Sequence, residues 1–496
     1  MTEERKSLNQ LIEVRIEKLK KILEKGIDPY PSTFKPNHFS KDILAKFKKF
    51  EGKTVVVAGR ITSIRKMGKA SFFHIQDSVG KIQIFIKKDD LGEDIYENFL
   101  LMDIGDFVGV EGTVFKTKVG EVSIKTQSMI ILCKAIRPLP IVKEKENEIY
   151  DAFSSKEQRY RNRHLDLIVN TDVRETFIKR SKIIKEIRSY LDNLGFLEVE
   201  TPVLQPIYGG ANARPFTTYH NALNQQFFLR IADELYLKRL VIGGLERVYE
   251  IAKDFRNEGM DRNHNPEFTM LEFYWAYADF EDNMNLVEDM IRKISKKIGS
   301  DQINLGDVKI DLKSPFKRIP FFDLLYENLG EDISKMNDKD LKILCEKKGI
   351  NTESNNNYGQ ILDQLMSEFV EPKLIQPTFV TNYPKAISPL AKKHRNGNEK
   401  LVERFELFIA GSEFANAFSE LNDPIDQRER FESQQKLAND GDDEAHPVDE
   451  NFLQAMESGM PPTGGVGIGI DRLVMLLTGN RSIKDVILFP AMKNES

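Results

Sequence analysis

The stretch at 255–277, FRNEGMDRNHNPEFTMLEFYWAY, places side chains suited to holding a ligand where a core would need apolar ones. Strand-like patterns run over 247–258 and 267–275, and alternate residues of a strand share a face. Arg256 and Glu258 therefore fall on one face of the first strand, and Phe268, Glu272 and Tyr274 on one face of the second, with 259–266 as a long loop. An arginine fork suits phosphate or carboxylate, and a flat phenyl ring suits stacking on a base. A half-solvated hairpin with ordinary ion pairs is the alternative reading of this stretch alone.

A second stretch, RFELFIAGSEFANAFSELND at 404–423, predicts two strands around a turn at Gly411–Ser412. Asn416, Phe418 and Glu420 alternate onto one face, and Glu406 and Glu413 stand on either side of the turn. Two approaching carboxylates raise one another's pKa unless a cation lies between them. Mg²⁺ accepts one or two carboxylates together with substrate phosphates; edge-strand acids kept for solubility are the alternative. The third stretch, GIGIDRLVMLL at 467–477, is a glycine-rich turn opening an apolar helix, with Arg472 in its first turn. Together the three offer two arginines, two carboxylates and a stackable ring, the components of an ATP–Mg²⁺ site on antiparallel strands. Neither GxxxxGK[ST] nor GxGxxG occurs, so nucleotide binding would need neither a P-loop nor a Rossmann turn. GxSxG and HExxH are also absent.

The elements that must position these groups lie in a chain of 496 residues, 40% hydrophobic and 30% charged, which is ordinary for folded protein. Its length suggests two to four domains. No apolar run is long enough to span a membrane, and the charged N-terminus has no signal region, so a cytoplasmic location is expected. Cys133 and Cys345, the only cysteines, form no metal-binding pattern. The net charge of −5 is uneven: residues 1–150 hold 27 Lys+Arg against 21 Asp+Glu, so a polyanion would be favoured at one end only. A charged helix over about 3–25 ends at Gly26 and a proline-rich segment. Five short β-branched or alternating segments between 54 and 132 predict a small barrel of the OB type. RPLPIVKEKENEIY then reads as a linker, and the rest as α+β, with the strands antiparallel because βαβ alternation is missing. The expected division is a basic helical extension at 1–51, the OB barrel at 52–138, a linker at 139–170, and a larger domain at 171–496 with a mostly helical region at about 281–372.

The three stretches resemble the motifs of class II aminoacyl-tRNA synthetases: LGFLEVETPVL, ending its first motif at Pro202, then FRNEG…RNHNPEFTMLEFY, then GIGIDRLVMLL. GGANARPF, HNPEFTMLEFYWAY, FANAFSELNDPIDQRERF and DVILFPAM resemble the bacterial-type lysyl-tRNA synthetases in particular, and the resemblance covers nearly the whole chain. It implies that Arg256 holds the amino-acid carboxylate and α-phosphate. Glu258, His264 and Asn265 would contact ATP, Phe268 would stack on adenine, and Arg472 would grip the γ-phosphate. Glu406 and Glu413 would bind Mg²⁺. The implied amino-acid pocket is Gly210, Glu234, Arg256, Glu272, Tyr274, Asn416, Phe418 and Glu420. Its carboxylates suit the lysine ammonium, whose ordinary pKa is about 10.4, and would repel aspartate. Glu420 and Tyr274 would meet the ε-amino group, and Gly210 and Glu234 the α-amino group.

On the barrel, the resemblance implies that Phe72 stacks on and Gln83 reads the anticodon, with Glu121 a further reader; Phe72 as a core residue is the alternative. Implied partners are L-lysine, ATP, lysine tRNA and a second copy of the chain, whose interface would use the first motif. His38, His74, His164, His220, His394 and His446 receive no role. The rival readings are an aspartyl- or asparaginyl-type ligase, disfavoured by Glu420; a relative that lysylates a protein, disfavoured by the barrel; and a catalytically silent RNA-binding paralogue, disfavoured by the intact arginines and carboxylates.

Overall fold

The computed structural model describes residues 7–140, 143–145, 148–150, 153–350, 357–439 and 447–494. The first six residues of the expected extension, parts of the linker, residues 351–356 of the helical region and His446 lie outside them. The chain divides into two compact units, Met1–Phe153 and Ser154–Ser496.

In the first unit, five strands close a barrel: β1 (Thr54–Met67), β2 (Ala70–Gln76), β3 (Lys81–Lys87), β4 (Phe107–Lys116) and β5 (Val122–Cys133). The order is β1-β2-β3-β5-β4, with β3 and β5 parallel and every other pair antiparallel. Period-2 alternation directs Val55, Val57, Phe73, Ile82, Ile84, Val110 and Ile124 inward. The helix Leu8–Glu24 is capped by Ser7 and adds Ile22 to the same core. Its Arg15 is buried and donates to the carbonyls of Ile104 at 2.9 Å and Ala135 at 3.0 Å, so this basic residue fastens the helix instead of facing solvent.

The second unit is built on an eight-stranded sheet. Its order is Lys317–Pro320, Thr378–Thr381, Arg404–Ile409, Ser412–Ser419, Thr463–Gly469, Glu267–Ala276, Arg247–Phe255 and Leu197–Glu198. The six middle strands are mutually antiparallel, while the outermost pair at each edge is parallel. The expected antiparallel sheet is therefore a mixed one. Helices Thr171–Asn193, Phe280–Ile298 and Ile470–Thr478 bury apolar stripes in the core shared with the sheet, including Ile183, Ile187, Met290, Ile291, Leu473 and Val474. Asp471 ties three of these elements together: it pairs with Arg180 at 2.5 Å and accepts the Thr269 N–H at 2.7 Å. The 281–372 region holds helices Phe321–Leu329, Asp338–Lys348 and Tyr358–Phe369. It also holds a hairpin, Gln302–Leu305 with Val308–Asp311, and an edge strand of the main sheet, which its helical texture concealed.

Candidate active site

Four adjacent strands, Arg404–Ile409, Ser412–Ser419, Thr463–Gly469 and Glu267–Ala276, carry a cavity of about 390 Å³. The glycines of the 463–469 strand keep its floor low. A Cβ at Gly465 would stand 2.0 Å from Glu420 Oε1 and 2.5 Å from Tyr274 Cε1, so a side chain there would displace both groups. All the residues singled out above for ATP, metal and amino acid line this cavity.

One end is acidic and enclosed. Gly210 packs against Glu234, which opens the helix Glu234–Ile242. Glu234, Glu272, Tyr274 and Glu420 are all buried. Tyr274 donates its hydroxyl to Glu272 at 3.1 Å, and the Asp233 N–H donates to the same carboxylate at 3.2 Å. Burial, with Asp254 and Glu234 nearby, still pushes Glu272 well above the usual carboxylate range. Glu420 is pushed up to about 8 by burial, opposed by Lys238 and reinforced by Glu234. Apart from the Lys238 ammonium, no described group satisfies its oxygens. Asp254, raised to about 6 mainly by burial, and Asp233 lie within 4.8 Å of Glu272, with the Arg230 guanidinium against both aspartates. Three buried carboxyl groups lining one hollow, with two more beside Glu272, favour a cation in it, because desolvation and mutual repulsion both oppose their ionisation.

The other end is more open and is held by a loop. The Arg256 guanidinium lies 5.2 Å from the centre of the Phe268 ring. Its Nε is buried without a hydrogen-bond partner among the described residues. A buried unsatisfied donor costs about 1–3 kcal/mol, so this one suits an acceptor brought by a ligand. Arg472 donates to the Glu413 carbonyl at 2.7 Å and sits 3.0 Å from His264 Nε2, whose Nδ1 meets Asp261 at 2.9 Å. Glu258 is exposed at the cavity mouth. Glu406 accepts from Tyr383 at 2.7 Å and pairs with Arg404. Burial, opposed by Arg404 and reinforced by Glu413, raises it to about 7.

One detail differs from the expectations, and two others refine them. The first strand of the 255–277 hairpin stops at Phe255 instead of 258, because the Asn257 N–H turns to the Arg214 carbonyl at 2.8 Å. Asn265 lines the cavity but uses its amide on the backbone, donating to the Glu267 carbonyl at 2.6 Å and accepting from the Ala491 N–H at 3.2 Å. Strict alternation would put Glu413 on the opposite face from Asn416. A β-bulge prevents this: Glu413 pairs with Phe408 and Ala415 with Leu407, leaving Phe414 as the extra residue. Glu413 thus shares the cavity face with Glu406, Asn416 and Phe418.

Within the barrel unit, Phe73 is fully buried and Phe72 points outward, so the core alternative for Phe72 fails. The Phe72 ring lies 4.9 Å from Phe85, which lies 6.0 Å from Phe115, making a row of aromatics on the outer face. Gln83 donates to Glu121 at 2.7 Å and accepts from Ser123 at 2.7 Å. His74, left without a role above, contacts the same Glu121 at 3.0 Å. Lys238 and Arg404 were also passed over. Their signals were local: Glu234 and Lys238 are four apart on a helix, and Arg404 alternates with Glu406.

Comparison with known proteins agrees with this geometry. Residues 155–493 match the family model of tRNA synthetases class II (D, K and N), and residues 55–132 match that of the OB-fold nucleic acid binding domain. The chain is similar to two curated proteins named lysine–tRNA ligase, from two strains of Porphyromonas gingivalis. Each is 51% identical over 493 residues, covering 97% of this chain and 85% of the relative. With this cavity on an antiparallel sheet core and a five-stranded barrel earlier in the sequence, the chain belongs to the lysyl-tRNA synthetases of class II.

Proposed function

We propose that the protein is a lysine–tRNA ligase that activates L-lysine with ATP and transfers it to the 3′-OH of the terminal adenosine of lysine tRNA. The observation that carries the amino-acid assignment is the acidic end of the cavity, where Glu234, Glu272 and Glu420 converge with Tyr274. An ammonium group there lets the carboxylates ionise together, whereas the side chain of aspartate would add a further negative charge.

In the first step an oxygen of the lysine carboxylate attacks the α-phosphorus in line, forming lysyl-adenylate and releasing pyrophosphate. Arg256, with its unsatisfied Nε, draws carboxylate and α-phosphate together and stabilises charge as it builds. Phe268 receives the adenine, and its contact with Arg256 fixes ring and guanidinium relative to each other. Arg472, anchored on the Glu413 carbonyl, holds the terminal phosphate against His264. Such chemistry rests on positioning and electrostatics, so it needs no nucleophile from the chain. Glu406 and Glu413 fit Mg²⁺: they are hard oxygen donors, and burial and mutual repulsion leave Glu406 short of positive charge. Bound there, the ion would neutralise phosphate charge. In the second step the tRNA hydroxyl attacks the adenylate carbonyl and AMP leaves.

The barrel's aromatic row would stack anticodon bases, with Gln83 and Glu121 reading their edges. A homodimer is favoured by exposed apolar residues around the first motif, namely Ile178, Leu194, Leu197, Val203 and Leu204. We place the enzyme in the cytoplasm; no described helix is long and apolar enough to cross a membrane. ATP–pyrophosphate exchange with each of the twenty amino acids tests the assignment. Exchange with lysine is expected, and exchange with aspartate or asparagine instead would overturn the pocket reading.

A further inference from the structure

The acidic end has a cation of its own behind the cavity wall. Lys238 lies one turn beyond Glu234 on the helix Glu234–Ile242 and has no exposed surface. Its ammonium pairs with Glu234 on its own helix and with Glu420, which follows the strand Ser412–Ser419. The Phe452 ring, 6.0 Å away, covers another side. Lys238 does not line the cavity, whereas both of its carboxylate partners do. Burial alone would lower its pKa, but the two glutamates more than reverse that, so it stays charged.

Counting charges makes the consequence concrete. Glu234, Glu272 and Glu420 face the hollow, and Lys238 neutralises one of the three from behind. Two other cations of this region are already engaged. Arg404 pairs with Glu406, and Arg230 with Asp233, Glu250 and Asp254. Two of the three carboxyl groups that line the cavity are thus left without a counter-charge of their own, which matches one α-ammonium and one side-chain ammonium; Asp233, Glu250 and Asp254, outside the lining, share the single Arg230. Without Lys238, three carboxylates would share two ligand charges, and one carboxyl would retain its proton or repel its neighbours.

We infer that Lys238 is a positioning residue for the amino acid: by bridging Glu234 and Glu420 from behind the cavity wall, it holds both carboxyl groups aimed into the hollow and favours their ionisation when ligand ammonium groups arrive, and so tunes the pocket to a substrate carrying two of them. This rests on the amino-acid reading of the cavity given above. No bond is made or broken at Lys238, and its effect falls on lysine binding, not on the handling of ATP.

The test is ATP–pyrophosphate exchange by the full-length protein as wild type, Lys238→Met and Lys238→Arg, with KM for lysine and ATP and kcat measured separately from pH 6.5 to 9. Lysine-dependent exchange by the wild type secures the underlying reading first; its absence would remove that reading and the role of Lys238 with it. Lys238→Met is expected to raise KM for lysine at least about 30-fold at pH 7 and to move KM for ATP less than threefold. Its lysine KM should improve with pH more steeply than that of the wild type, because Glu234 and Glu420 then ionise without help. Equal losses for lysine and ATP, or an unchanged lysine KM in a folded variant, would overturn the role and leave the wild-type assignment standing. If Lys238→Met does not fold, Lys238→Arg decides the question. It keeps the charge but moves the carboxylates, so lysine KM should rise alone, and a parallel rise for ATP would refute the inference.

Discussion

The acidic end of the catalytic cavity and the outer face of the barrel both offer carboxylate and aromatic groups, yet hold them in opposite ways. In the cavity, Glu234, Glu272 and Glu420 are buried, Glu234 repels each of the other two, and Lys238 balances part of their charge. On the barrel, Glu121 and His74 are partly exposed and Phe72 is half-buried, so solvent screens each contact. Buried coupled charge makes recognition steep, since a wrong ligand leaves a group desolvated and unpaired. Exposed stacking, as proposed for the barrel, would make recognition graded, with each base adding its own increment.

The largest effect is expected from Arg256→Ala, which removes the guanidinium proposed to serve both substrates. Adenylate formation should fall roughly 10³-fold with circular dichroism unchanged, and near-normal exchange would remove Arg256 from the reaction. Glu420→Gln should raise KM for lysine about 10²-fold or more, as expected for one broken partner of a buried charge pair. KM for ATP should stay within a few-fold, and a matching ATP loss would place Glu420 outside the pocket. Phe72→Ala should leave lysine activation intact while lowering tRNA charging roughly 10- to 100-fold, the range for one stacked base at about 1–3 kcal/mol. Unchanged charging would deny the outer face its role. Phe73→Ala, one residue away, should instead cost about 3–5 kcal/mol of stability through a core cavity.

The mildest effect concerns pH. Glu420 is raised to about 8, and Glu406 and Glu371 to about 7, all chiefly by burial. The folded chain therefore binds more protons than the unfolded chain between the ordinary carboxylate range and pH 8. The stability these groups contribute is fully present below that range and is lost as pH rises through 7 and 8. The urea midpoint of the ligand-free protein should fall from pH 5.5 to 8.5, and Glu420→Gln should flatten the upper part of that decline. A midpoint rising over the same interval would contradict the burial argument.

What the sequence revealed followed from how locally each feature is encoded. The barrel strands carry period-2 alternation, and Arg256, Phe268 and Glu272 sit within one hairpin, so both could be read from adjacent residues. The bulge at Phe414 could not be read. It depends on pairing with Leu407 and Phe408, and it alone turns Glu413 toward Glu406. The pairing of Lys238 with Glu234 is local and legible, but its second partner, Glu420, lies far along the chain, so the bridge between the two could not be read. The parallel edge pairs were hidden for a related reason: Lys317–Pro320 and Leu197–Glu198 are too short to show a period. Nor could the bond between Asn265 and Ala491 be read, because it depends on the fold.

The central claim is that the acidic end recognises two ammonium groups, and comparing lysine with norleucine tests it most directly. Norleucine keeps the α-amino group, the carboxylate and the chain length but ends in a methyl group. Calorimetric titration of the full-length protein should find norleucine weaker by about 10⁴-fold, as for a polar site presented with an analogue that lacks the matching group. Binding of norleucine within about tenfold of lysine would contradict the account, because Glu420 and Tyr274 could not then be reading the side-chain ammonium.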